Sequence, residues 1–154
     1  MQIILCLFDV LFHANRIFLD LSRMTTSARW PLFFGGLLTA TAILLAALAS
    51  HALPGIMQDP VRSYRFTTAL QMHQANAPGL LLIGIALLIR PDNRWWRAAA
   101  ALLLPGIMLF AGNLYLLALT QSTPASWLTP LGGLCMISAW LVFAVGALTM
   151  RTKI

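Results

Sequence analysis

The sequence predicts an all-α integral membrane protein, a four-helix bundle, from its composition and its apolar runs. Hydrophobic residues make up 60% of the 154 residues, charged residues make up 9%, and the mean hydropathy is +0.83. A soluble globule of this length needs more polar surface than this. Four apolar runs are long enough to cross a hydrocarbon core about 30 Å thick, at residues 31–50, 69–89, 98–120 and 130–150. Because lipid offers the backbone no hydrogen-bond partner, we expect each run to be a helix, with short linkers between antiparallel neighbours.

A separate amphipathic segment precedes the spans. Polar side chains in residues 1–23 recur alternately four and three positions apart, at Gln2, Cys6, Asp9, His13, Arg16, Asp20 and Arg23. That spacing places them on one narrow stripe of a helix. We expect this helix to lie in the membrane interface, because a spanning helix would have to hide its ionisable groups in protein. The alternative is that Met24 is the true start and that residues 1–23 are a spurious extension.

The first span, residues 31–50, shares features with a secretion signal. Arg29 precedes an apolar run that ends in the small residues "ALAS" at 47–50. The run is longer than the usual apolar segment of about 7 to 15 residues, and nothing after it looks like a secreted domain. We therefore expect a retained helix that ends near His51.

Basic residues predict the orientation of the spans. The net charge of +6 is spread along helix ends rather than clustered with aromatic residues, which argues against a nucleic-acid partner. The excess of basic residues lies before the first span, in the second linker and after the last span. These residues are Arg29, Arg90, Arg94, Arg97, Arg151 and Lys153. By the positive-inside rule, both ends of the four-span domain face the cytoplasm of a bacterial inner membrane.

Small residues and prolines inside the spans predict how the helices pack. Along the first span, small residues recur every four positions, at Gly36 and Ala40 and again at Ala42, Ala46 and Ser50. Such residues let the backbones of two membrane helices approach closely. Pro78 and Pro105 each remove a backbone hydrogen bond, and we expect both to bend their helices.

Polar residues of the spans fall in one depth band of the outer half. They are His51, Gln71, His73, Asn76, Asn113 and Tyr115. Because polar groups in a low-dielectric layer need partners, we expect them to form one hydrogen-bonded cluster inside the bundle. Three roles stay open: contact between helices, a site for a small molecule or a proton, and a haem or metal site on His51 and His73. Against a metal, the spans hold no carboxylate and no third histidine, and Cys6 and Cys135 lack ligand spacing.

Four blocks of the chain, in order, resemble the YgdD and transmembrane-protein-256 family, domain-of-unknown-function family 423. The blocks are "ASHAL" at 49–53, "RFTTALQMHQANAPGLLLIGIAL" at 65–87, "GIMLFAGNLYLLAL" at 106–119 and "TPLGGLCMISAWL" at 129–141. The resemblance covers residues 31–150 and implies a small four-helix inner-membrane protein without an established activity. Besides His51, His73 and Tyr115, the family pattern marks Gly106, Phe110, Gly112, Leu114, Pro130, Gly132, Gly133 and Trp140. The chain departs from the pattern at Met72 and Asn76, where members typically have tyrosine and histidine.

Two function classes follow from these observations. The spans carry no nucleophile or metalloprotease motif and no carboxylate, so we expect neither an enzyme nor a bound cofactor. In the first class the protein lies in the lipid bilayer as a non-enzymatic accessory or structural component of a larger membrane complex or a homo-oligomer. In the second it is a small-molecule or proton carrier, or a haem-binding protein, built around the outer polar cluster.

Overall fold

A computed structural model describes residues 26–122 and 127–149, and every regular element in these ranges is helical. Four helices are long and apolar enough to cross a membrane, which confirms the predicted fold class. They are α1 (Thr26–His51), α3 (Pro60–Ile89), a composite third span (Arg94–Thr120) and α6 (Leu128–Leu148), with a one-turn helix α2 (Pro54–Met57) between the first two. The expected interfacial helix at 1–23 and the alternative start at Met24 lie outside the described residues.

The second span begins at Pro60, well before the predicted boundary at 69, because a side-chain cap starts it there. Asp59 Oδ1 accepts hydrogen bonds from the backbone N–H groups of Val61 at 2.9 Å and Arg62 at 3.1 Å. These bonds satisfy donors that have no partner within the helix, and proline suits the first position because its missing N–H costs nothing there. The apolar run, residues 69–89, is the part of α3 that we expect to cross the hydrocarbon core.

The third span changes its helical period along its length. Helix α4 (Arg94–Ile107) begins at a cap formed by the side chain of Asn93 and continues into a π-helical segment (Met108–Gly112) and then into α5 (Asn113–Thr120). The π segment follows directly on the turn that contains Pro105. One wide turn, in which each N–H bonds five residues back, shifts the side chains on its far side relative to those of α4.

An arginine holds the C-terminal end of the third span. Arg62, at the start of α3, donates from Nε to the carbonyl of Ala118 at 2.7 Å and from Nη2 to that of Leu119 at 3.3 Å. The last carbonyls of a helix have no partner within it and carry partial negative charge, so a guanidinium is well placed there. The contact fixes where α3 and α5 meet.

Close backbone contact joins α1 to α3. A Cβ atom placed on Gly35 would lie 2.8 Å from the backbone nitrogen of Leu81, and one placed on Gly84 would lie 2.7 Å from Cγ of Leu32. The face of α1 that packs on the bundle carries Ala28, Pro31, Gly35 and Ala42. Of the small residues expected at this contact, Ala42 is there, whereas Gly36 is exposed and a Cβ on it would meet nothing within 4 Å.

A second close contact joins the third span to α6. A Cβ atom on Gly132 would lie 2.5 Å from the backbone nitrogen of Phe110 and 2.9 Å from the carbonyl oxygen of Gly106. Large apolar side chains fill the space beside this contact, and the core they form includes Leu80, Ile83, Leu87, Leu103, Ile107 and Met136. The glycines therefore set the separation of the two helices.

We predict that Gly132→Ala destabilises the bundle. The added methyl group meets backbone atoms, which cannot rotate away, so the helices must separate at a cost of about 1–3 kcal/mol in the free energy of unfolding. Gly36→Ala is the matched control, since it makes the same change in a spanning helix where the methyl group has open space. Reversible unfolding in mixed micelles measures both variants, and equal stabilities would contradict the close contact.

Candidate functional site

Three side-chain hydrogen bonds link α3 to α6, α5 to α6, and α5 to α3. Trp140 Nε1 donates to Asn76 Oδ1 at 2.9 Å, Asn113 Nδ2 donates to Thr129 Oγ1 at 2.8 Å, and the Tyr115 hydroxyl lies 3.4 Å from His73 Nδ1. We call these three bonds the polar triangle. Four of the predicted cluster residues take part in it, and each of the three bonds links two different helices.

The other two predicted residues lie elsewhere. His51 is exposed at the last position of α1, and Gln71 is exposed on α3. Neither lines the groove described below. The predicted single cluster is therefore replaced by three pairs, and its two exposed members stand apart from them.

His73 is the member of the triangle with an unused polar atom. Its side chain is 5% exposed, and its Nδ1 faces the Tyr115 hydroxyl. The backbone of Leu38 on α1 is also near the ring. Its Nε2, however, is buried with no partner in hydrogen-bond geometry among the described residues. A buried polar atom without a partner is costly, and in native proteins it calls for an explanation.

A groove of about 470 Å³ runs beside His73. One wall is α1, where it includes Leu38 and Thr41, and the opposite wall is the third span, where it includes Met108 and Gly112. His73 and Tyr115 also line the groove, whose remaining lining is apolar apart from Thr41. Since α1 packs mainly along α3 and only lightly against the third span, the groove lies between two helices that α3 holds apart.

The π segment helps to form this groove. Met108, Ala111 and Gly112 belong to the π segment and to the groove wall. Single π turns inside α-helices occur frequently at functional sites. Here the wide turn places a residue without a side chain, Gly112, beside open space.

Four of the residues that the resemblance marks lie at the contact between the third span and α6. Gly106 and Gly132 form the close approach, and the ring of Phe110 lies 3.6 Å from where a Cβ on Gly133 would be. Trp140 donates to Asn76 and also fills the space beside Gly79. This part of the family pattern therefore coincides with helix packing.

The other marked residues have different surroundings. Gly112 lines the groove, Leu114 is half-buried, and Pro130 is exposed in the first turn of α6. Only Gly112 among these three belongs to the candidate site.

Sequence reasoning missed two hydrogen-bonding partners of the bundle. Neither Thr129 nor Arg62 was singled out from the sequence, yet one bonds Asn113 and the other caps α5. Trp140 was marked only by the family pattern, although an indole N–H inside a span always needs an acceptor. That need could have found the pair with Asn76. In the parts of the chain that the structure describes, no three His, Cys, Asp or Glu side chains come together as metal ligands would.

Comparison with known proteins agrees with this architecture. The family model described as "Protein of unknown function (DUF423)" matches residues 45–133. A UPF0382 membrane protein of Staphylococcus haemolyticus is 32% identical over 74% of this chain and 91% of its own length. The UPF0382 membrane protein YwdK of Bacillus subtilis is 30% identical over 75% of this chain and 94% of its own length. The UPF0382 inner membrane protein YgdD of Escherichia coli is 27% identical over 82% of this chain and 95% of its own length. No solved structure matches the chain.

The polar triangle makes a prediction for Asn76 and Trp140. Asn76→Leu leaves the buried indole N–H of Trp140 without an acceptor and is expected to lower the free energy of unfolding by about 0.5–2 kcal/mol, the range for hydrogen bonds between membrane helices. Trp140→Phe removes the donor as well, so in a double-mutant cycle the combined loss should be smaller than the sum of the single losses. Additive losses would show that the bond contributes nothing.

Proposed function

Because this chain belongs to the DUF423 family of small membrane proteins, whose relatives are named without an activity, we propose that it is a non-enzymatic accessory or structural component of a membrane complex. The observation that carries this proposal is the polar triangle. Asn76, Asn113 and Tyr115 each bond a side chain on another helix. Their hydrogen-bonding groups act in holding the bundle together, which is the role expected of a structural component.

The outer face of α1, which is the side that points away from the bundle, supports a partner there. It carries Phe33, Gly36, Leu37, Ala40, Leu44 and Ala47, all of them exposed and spaced along one side of the helix. Gly36 and Ala40 make a shallow depression between larger side chains, and a Cβ on Gly36 would meet nothing within 4 Å. Small residues at this spacing allow another membrane helix to approach closely.

A haem-binding role has less support from the same residues. His51 is exposed at the end of α1, whereas His73 is buried inside the bundle on α3. A haem held between two histidines needs both imidazoles to face one cavity. The groove beside His73 includes no second histidine.

We also propose that the protein lies in the bacterial cytoplasmic membrane with both ends of the four-span domain inside. The E. coli relative is named as an inner membrane protein. At one end of the bundle lie Arg29, Arg90, Arg94 and Arg97 with Asp92, and at the other lie Arg62 and Arg65 with Asp59.

Photo-crosslinking tests the accessory role. Phe33, 65% exposed on α1, is replaced by the photoreactive residue benzoylphenylalanine, and Leu141, 64% exposed on α6, receives the same replacement as the matched control. At native expression we expect one discrete protein adduct of fixed stoichiometry from position 33 and only lipid adducts from position 141. The adduct's mass separates a second copy of this chain from a different subunit.

Gly36→Leu provides the decisive comparison for that experiment. Its side chain enters open space, so the fold should be retained while the depression on α1 is filled and the adduct from position 33 is lost. Lipid adducts alone at both positions, or an adduct that Gly36→Leu does not change, would reject a partner on this face.

Cysteine labelling tests the orientation. In a variant whose two native cysteines are replaced by alanine, Ser122→Cys and Asp92→Cys each place an exposed thiol at one end of the bundle. A membrane-impermeant maleimide added to cells with a permeable outer membrane should label Ser122→Cys, and should label Asp92→Cys only after lysis. The reverse pattern would invert the topology.

A further inference from the structure

The groove beside His73 combines an apolar wall with one unsatisfied polar atom. His73 Nε2 is buried and has no partner in hydrogen-bond geometry among the described residues, and His73 lines the groove. In the polar triangle, the contact between Nδ1 and the Tyr115 hydroxyl orients the His73 ring, but Nε2 takes no part in it. This feature is independent of the proposed accessory role, which concerns the outer face of α1.

The contact with Tyr115 indicates whether the proton of the neutral imidazole ring is on Nε2 or on Nδ1. If the Tyr115 hydroxyl donates to Nδ1, the phenol proton is satisfied and the ring's own proton sits on Nε2. If Nδ1 donates instead, the phenol proton and the Nε2 lone pair are both left without partners. The first arrangement leaves fewer unsatisfied groups, so we assign it. Nε2–H is then a donor beside the Leu38 backbone, with no acceptor in hydrogen-bond geometry among the described residues.

Depth in the membrane restricts what could supply that acceptor. The apolar run that we expect to cross the hydrocarbon core begins at residue 69, so at about 1.5 Å per residue His73 lies roughly 6 Å inside that core. A charged group is costly at such a depth. The acceptor must therefore belong to an uncharged molecule that is soluble in lipid.

The size of the groove restricts the molecule further. An apolar cavity of about 150 Å³ holds benzene, and this groove is about 470 Å³. It is large enough for a substituted six-membered ring with the first part of a hydrocarbon tail. Its side between α1 and the third span includes the exposed Phe34, Leu37 and Met108, so a longer tail can continue into the lipid.

We infer that this groove binds an uncharged lipophilic molecule that presents a carbonyl oxygen to Nε2–H of His73. Two membrane sources have this chemistry, a quinone with a hydrocarbon tail and the acyl ester of a lipid. The volume of the groove favours the quinone, because it accommodates a substituted six-membered ring. Since Nε2 is enclosed, binding requires apolar side chains of the wall to rotate, and unbranched Met108 on the rim is flexible enough to take part.

Nitrogen NMR of the full chain in bicelles tests the inference directly. The chain has three histidines, so ¹⁵N-histidine labelling gives few signals, and His73→Phe identifies the signal that belongs to His73. Three probes are titrated: decylbenzoquinone, the methyl ester of decanoic acid, and decylbenzene, which lacks a carbonyl group. His51, exposed and outside the groove, is the internal control.

The expected result is a saturable shift of the His73 Nε2 signal with decylbenzoquinone, no such shift with decylbenzene, and no change at His51. Gly112→Leu narrows the groove from the opposite wall at a position where a Cβ meets nothing within 4 Å, and it should raise the midpoint of the titration at least about tenfold. A shift with the ester but not with the quinone upholds the carbonyl site and makes a lipid its source.

Three outcomes would overturn the inference. The His73 signal could remain unchanged at saturating concentrations of all three probes, or decylbenzene could shift it as much as the quinone does. The third is an unchanged midpoint in Gly112→Leu, which would place the bound probe outside the groove. If Gly112→Leu does not fold, Thr41→Leu narrows the groove from α1 and takes its place in the comparison.

Discussion

The scarcity of hydrogen-bond partners in hydrocarbon governs the whole bundle. In water an asparagine side chain that loses one partner gains another, but inside a bilayer it must find its partners within the protein. Asn76 and Asn113 do so through Trp140 and Thr129, and each bond fixes the rotation of two helices at once. The apolar core between α3, the third span and α6 then packs around rotations that these bonds have set.

Close backbone contact is the second consequence of the same environment. Lipid chains are as apolar as leucine, so burying leucine against leucine gives membrane helices little reason to associate. The contacts at Gly35 and Gly132 instead bring backbones together, which increases dispersion contact between two helices. This explains why the family pattern is rich in glycine where the third span meets α6.

How far the sequence predicts this molecule differs from feature to feature. Apolar runs predict the spans because hydrocarbon thickness and helical rise fix their length, whereas the early start of α3 depends on Asp59, whose role as a cap is local and needs no apolar residue. The small residues of α1 were predictable as a packing feature, but not the face they serve, because Gly35 and Gly36 are adjacent in sequence and only one of them meets α3. The polar residues were predictable as a group in need of partners. Which partner each one takes depends on helix rotations that periodicity alone does not determine.

The π segment shows why the groove could not have been predicted in the same way. Proline at 105 predicts a disturbed helix, but not that the disturbance takes the form of one wide turn from Met108 to Gly112. That turn sets the angular position of Tyr115 relative to α4, and hence its approach to His73. The resulting groove has one wall held by the polar triangle and another, α1, held by apolar packing on α3. His73 is therefore fixed in orientation on the rigid side, while the opposite wall is made of side chains that can adjust to what the groove contains.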